Sequence, residues 1–180
     1  MLTINIPDRE YFDEITNEFI YVKGKSIVLE HSLLSISKWE SKWKKPFLGN
    51  NSKSFEESID YIRCMTLTQN VDSRLYYNID AGIFKQVSDY IEDGMSATTI
   101  TNNGSKKRSG RAVTSELIYS WMVSFRIPFS CEKWHLNRLL TLINICEINN
   151  SPKKKMSKRE LYAKNKSLNE ARRQRMNSSG

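Results

Sequence analysis

Side chains able to do chemistry are sparse in this chain, and the spacing of most of them argues against a reaction. There are two histidines and three cysteines in 180 residues. Cys131 and His135 stand four apart, a spacing that can put two metal ligands on one face of a helix. Cys146 lies too far along the same helix to join them, and only Cys64 or His31 could complete a site from elsewhere. No metal is therefore expected; His135 reads as a hydrogen-bonded side chain and Cys131 as a packed one. Gly24-Lys25-Ser26 resembles part of a phosphate-binding loop, but that motif needs a glycine five residues before its Gly-Lys pair, and Phe19 stands there. A hairpin turn accounts for it. Acyl or glycosyl transfer would need a nucleophile beside its base or two carboxylates in an apolar setting. Ser, Asp and Glu instead fall mostly in capping sequences and on polar faces. The chain is expected to be no enzyme and to take no cofactor.

Residues suited to binding are easier to find. Trp39 and Trp43 are interleaved with Lys38, Lys42, Lys44 and Lys45. That arrangement suits either a helical core position or an aromatic–basic surface for bases or a partner. Trp121 and Trp134 read as core. Residues 101–111 form a polar loop carrying Lys106, Lys107 and Arg108, either solvated or in contact with a partner. The charge distribution is more pointed. Residues 1–150 hold 18 Lys and Arg against 18 Asp and Glu, so the net charge of +8 lies wholly in residues 151–180. There Lys153, Lys154, Lys155, Lys158, Arg159, Lys164, Lys166, Arg172, Arg173 and Arg175 face only Glu160 and Glu170. Such an arm could hold nucleic acid without sequence preference, or dock as a basic helix on an acidic helical partner through Leu161 and Leu168, or simply be solvated.

The elements that must carry these residues follow from periodicity. Leu2, Ile4 and Ile6 alternate as a short strand, and Phe19–Val22 with Ser26–Leu29 around Gly24 predict a β-hairpin. From there the pattern is helical. Ser35 or Ser37 could cap a helix presenting Trp39 and Trp43, ending before Pro46. Ser54-Phe-Glu-Glu57 is a capping box opening a helix to about residue 66, with Phe55, Ile59 and Ile62 inward. Further helices are expected near 81–92 with Ile83, Phe84, Val87 and Ile91 inward, from Thr114 to before Pro128, from Cys131 to Ile148 under a Ser130 cap, and from Ser157 to about Met176. The reading is one α+β, predominantly helical domain over 1–150 and a basic extension over 151–180. The extension has too few apolar residues to offset an ordering cost of about 1–2 kcal/mol per residue on its own. No apolar run is long enough to span a membrane, the N-terminus does not read as a secretory signal, and the odd cysteine count suits a reducing compartment.

Three stretches together resemble a known group. These are Ser35-Ile-Ser-Lys-Trp39-Glu-Ser-Lys-Trp43-Lys-Lys-Pro-Phe-Leu48, Glu132-Lys-Trp-His135-Leu-Asn-Arg-Leu-Leu-Thr-Leu-Ile143 and Pro152-Lys-Lys-Lys-Met-Ser157. In order along most of the chain they are similar to the tail assembly chaperones of tailed bacteriophages. The resemblance implies a non-catalytic helper in the host cell cytoplasm that binds the tape-measure protein, a very long helical chain, before the tail tube forms. It brings no catalytic residues. The alternative is a phage accessory protein that binds nucleic acid through the basic arm. Either way the expected contact residues are Trp39, Trp43, Lys106, Lys107, Arg108, Lys153, Lys154, Lys155, Lys158, Arg159, Arg172, Arg173 and Arg175.

Overall fold

A computed structural model describes residues 1–13, 17–49, 52–98, 112–150 and 158–176. The fold is α+β and predominantly helical, with an N-terminal hairpin. It divides into two compact units, Met1–Glu147 and Ile148–Gly180, a boundary three residues before the one expected.

The strands pair differently from the expected order. β1 (Leu2–Ile6) runs antiparallel to β4 (Lys25–Leu29), and between them β2 (Arg9–Asp13) and β3 (Glu18–Val22) form the hairpin. Phe19–Val22 and Ser26–Leu29 are thus not partners. Gly24 sits where the chain passes from β3 into β4, and no left-handed backbone demands it. Space demands it: a Cβ there would lie 2.5 Å from the Ile6 carbonyl oxygen and 2.7 Å from the Asp8 nitrogen. The Gly24 N–H donates to Asp8 Oδ1 at 2.7 Å, which fixes the crossing. β1 and β4 turn Ile4, Ile6, Ile27 and Leu29 into the core, as alternation requires. On its other edge β4 is held by residues 66–68, where the Leu67 N–H donates to the Val28 carbonyl at 2.8 Å.

Helix α1 (Leu33–Trp43) begins one turn earlier than expected. Ser32 caps it and exchanges bonds with Ser35 at 3.2 and 3.0 Å. It ends at Lys44 in a left-handed conformation, ahead of Pro46. Helix α2 (Phe55–Met65) opens on the Ser54–Glu57 capping box as expected, with bonds of 3.2 and 2.9 Å. Helices α3 (Ala81–Glu92) and α4 (Ser115–Ser124) start on Asp80 and Thr114. The helix expected from Cys131 is interrupted. A 3-10 turn spans Phe129–Lys133, and α5 (Leu136–Asn150) starts only after His135. A tertiary bond overrides the local pattern here, since the Leu136 N–H donates to the His31 carbonyl at 2.7 Å. Cys131 and His135 therefore do not share a helix. In the second unit α6 spans Lys158–Met176; Ser157, expected as its cap, lies outside the described residues.

Trp39 is at the centre of the first unit, 1% exposed, with its indole N–H donating to the Glu57 carbonyl at 2.8 Å. The Phe47 ring meets it edge-on at 5.2 Å. Close by, Glu40 is buried and accepts two backbone N–H bonds of 2.7 Å, from Phe47 and from Ser115 at the start of α4. One carboxylate so joins α1, the loop after it and α4. Trp121 is half-buried and Trp134 lies outward under the Arg138 guanidinium, 4.5 Å from its ring centre, so neither fills the core as expected. Trp39→Ala is expected to lower stability by about 3–5 kcal/mol, read from denaturant unfolding by circular dichroism. A loss below about 1 kcal/mol would contradict its central placement.

Candidate partner-binding surfaces

The residues singled out from sequence fall partly in the first unit, partly in the second, and partly outside the described residues. Trp39 is inaccessible, which removes it from any contact surface of the folded protein. Its expected alternation with lysines is real, but the indole points inward and the lysines outward, as an amphipathic helix requires. Trp43 is half-buried, and its N–H donates to Asp60 Oδ2 at 2.9 Å. Lys42 also reaches Asp60, at 2.5 Å, and Lys45 reaches Glu57 at 2.5 Å. These cations are spent on neighbouring carboxylates of α2. Lys106, Lys107, Arg108, Lys153, Lys154 and Lys155 lie outside the described residues. On α6, Arg159, Arg172, Arg173 and Arg175 are exposed; Lys158 starts the helix. At 3.6 residues per turn these cations cover a little over half of the helix circumference and are not gathered in one narrow stripe.

A surface that sequence reasoning missed lies between α2 and α3. Phe55, expected inward, is 60% exposed because it is the first residue of α2 and overhangs the core. It faces Ile79 and Phe84 across a cleft of about 560 Å³ whose rim carries Lys85 and Asp89. Phe84 and Ser88 also line a second, adjoining cleft of about 220 Å³, together with Tyr61, Ile62 and Val87. Lys53 lines this smaller cleft. Its ammonium lies 4.1 Å above the Phe47 ring and donates to the Phe47 carbonyl at 3.0 Å. Burial holds its pKa below the usual lysine range. The groove is apolar along its length with mixed charges at the rim, a shape that accepts the apolar face of a helix. The signal for it was Phe55 standing immediately after a cap: a large apolar side chain at a helix's first position has half of its surroundings outside the helix.

Beneath the groove lies a buried polar cluster. His31 Nδ1 and the Tyr61 hydroxyl share a hydrogen bond of 2.5 Å, and the His31 and His135 rings meet at 5.1 Å. His135 Nε2 lies 3.0 Å from the Tyr90 carbonyl, to which only an N–H can donate, while its Nδ1 accepts from the Asn137 N–H at 3.3 Å. The carbonyl contact therefore places an N–H at Nε2. Both nitrogens are engaged. Tyr90 in turn donates to Glu30 at 2.7 Å. Burial pushes the Tyr61 and Tyr90 hydroxyls above the usual tyrosine range. Among the described residues no three His, Cys, Asp or Glu side chains gather as a metal site. Nor is any helix there long and apolar enough to cross a membrane.

Burial, together with the nearby His135, lowers His31 to about 3 from an ordinary 6.5. The unfolded chain then binds a proton that the native state refuses between those values. Stability is full above pH 6.5 and falls as pH drops toward 3, by up to about 1.4 kcal/mol per pH unit. Urea midpoints should decline between about pH 7 and pH 4.5, before carboxylates protonate, and His31→Gln should flatten that decline. An equal slope in both proteins would contradict the assignment.

The chain matches no protein-family model, and it has no match among curated proteins or solved structures.

Proposed function

We propose that this protein is a non-catalytic assembly chaperone of the tailed-bacteriophage type, which covers an amphipathic helical segment of the tape-measure protein during tail morphogenesis in the host cytoplasm. The observation that carries the reading is the α2–α3 groove, walled by the exposed Phe55 and the half-buried Phe84. A long helical chain awaiting its tube exposes apolar stripes that would otherwise associate with one another. A groove lined by apolar side chains can cover such a stripe reversibly without chemistry. The groove rim offers charges of both signs, Lys53 and Lys85 with Asp80 and Asp89, and the exposed cations of α6 in the second unit offer a separate attraction for acidic segments. Charged contacts of this kind speed encounter and set register, while the apolar anchors supply most of the affinity.

The second reading, non-specific nucleic-acid binding, is supported by the exposed Arg159, Lys164, Lys166, Arg172, Arg173 and Arg175 of α6. It makes a separate demand: DNA affinity that falls steeply with salt. No measurable DNA binding at low salt would end it.

Co-expression with tape-measure protein followed by pull-down tests the preferred reading. Phe55→Asp should weaken capture by about tenfold or more, whereas Val123→Asp, at an equally exposed site on α4, should leave it unchanged. Deleting residues 151–180 should also reduce capture. Full capture by both the Phe55 variant and the deletion would remove groove and arm from the mechanism.

A further inference from the structure

The face of the β2–β3 hairpin carries a group of side chains that the groove and the basic arm leave unused. The register pairs Phe12 with Phe19 and Glu10 with Tyr21, so these four side chains share one side of the ribbon. The three rings are 50%, 69% and 60% exposed for Phe12, Phe19 and Tyr21. Phe12 and Phe19 touch at 5.1 Å, a contact that stabilises the ribbon. That contact does not account for Tyr21. Its hydroxyl donates to Asp8 Oδ2 at 2.6 Å, and Asp8 is itself fixed by the Gly24 N–H, so the ring is oriented in advance of any partner. The same two bonds hold the Asp8 carboxyl below the usual carboxylate range. Glu10, beside Tyr21, forms no ion pair or side-chain hydrogen bond among the described residues. The Arg9 guanidinium is on the opposite side, 5.5 Å above Tyr11, and Lys23 is the cation nearest to Asp8.

We propose that this face binds a cationic segment of a partner polypeptide, taking its arginine or lysine side chains onto the rings of Phe12, Phe19 and Tyr21 with Glu10 and Asp8 as counter-charges. Exposed π faces beside carboxylates attract a weakly hydrated guanidinium most strongly, because stacking and charge act together. The same carboxylates repel phosphate, which excludes a nucleic-acid strand as occupant. Pre-orientation of Tyr21 reduces what must be ordered on binding. This surface is separate from the α2–α3 groove, and its partner has the opposite charge preference to that of the basic arm.

The test uses the full-length protein and a short labelled arginine-rich peptide, with the same peptide carrying citrulline at each arginine position as the neutral counterpart. Fluorescence anisotropy should show the arginine peptide bound and the citrulline peptide at least about tenfold weaker. Aromatic resonances of Phe12, Phe19 and Tyr21 should move on titration. Phe19→Ser and Glu10→Gln, neither of which removes a core contact, should each weaken binding several-fold while Val123→Asp, at an exposed site on α4, leaves it unchanged. Equal binding of the two peptides, unchanged affinity in both hairpin variants, or movement of groove resonances instead would overturn the proposal. So would preference of this face for a single-stranded oligonucleotide. Failure here leaves tape-measure capture through Phe55 untouched, and failure of that capture leaves this face as it is.

Discussion

The arrangement of the first unit depends on how Glu30, His31 and Ser32 are satisfied away from water. These three residues join β4 to α1, and each of them is buried. Glu30 is bonded by Tyr90 of α3, His31 by Tyr61 of α2, and the His31 carbonyl by the first N–H of α5. Ser32 caps α1 and bridges to His135. A short connection thus reaches four helices and a strand. Buried polar groups without partners cost about 1–3 kcal/mol each, so these helices cannot shift independently without losing bonds. That constraint sets the separation of α2 and α3 at the groove, because Tyr61 and Tyr90 belong to those two helices.

The surfaces offered to partners follow from what this hub leaves over. Apolar side chains near the ends of helices lose part of their cover. Phe55 and Phe84, near the starts of α2 and α3, are in that position, and Lys53 lines the adjoining cleft with its ammonium over the Phe47 ring. The β2–β3 hairpin offers a separate surface. Its inner face is anchored by the Tyr11 hydroxyl donating to Asn78, and its outer face keeps three rings in water. The polar clusters are occupied by structural bonds, as with Glu40, which is wholly engaged in holding two backbone N–H groups.

Local signals in the sequence translated well into structure. Ser54 with Glu57 marks the start of α2, and the apolar spacing of Ile83 and Val87 marks the buried face of α3, because caps and helical periodicity act within one or two turns. Signals that depend on distant partners did not translate. The β1–β4 pairing joins strands on either side of a whole hairpin, and nothing near Gly24 distinguishes a hairpin turn from a tight crossing. The late start of α5 likewise reflects a bond to His31, more than a hundred positions earlier. For the sites, composition located the basic arm, yet Trp39 was drawn toward the surface by lysines that lie on the other side of its own helix. Phe55 was drawn inward by a helical stripe that runs past the end of the core.

Site-specific photo-crosslinking during tail assembly tests the central claim most directly. A benzoylphenylalanine placed at Phe55 should give a covalent adduct with tape-measure protein, and the same probe at Val123 on α4 should give none. Adducts from Val123 but not from Phe55, or none from either while the two proteins still co-purify, would contradict capture in the α2–α3 groove.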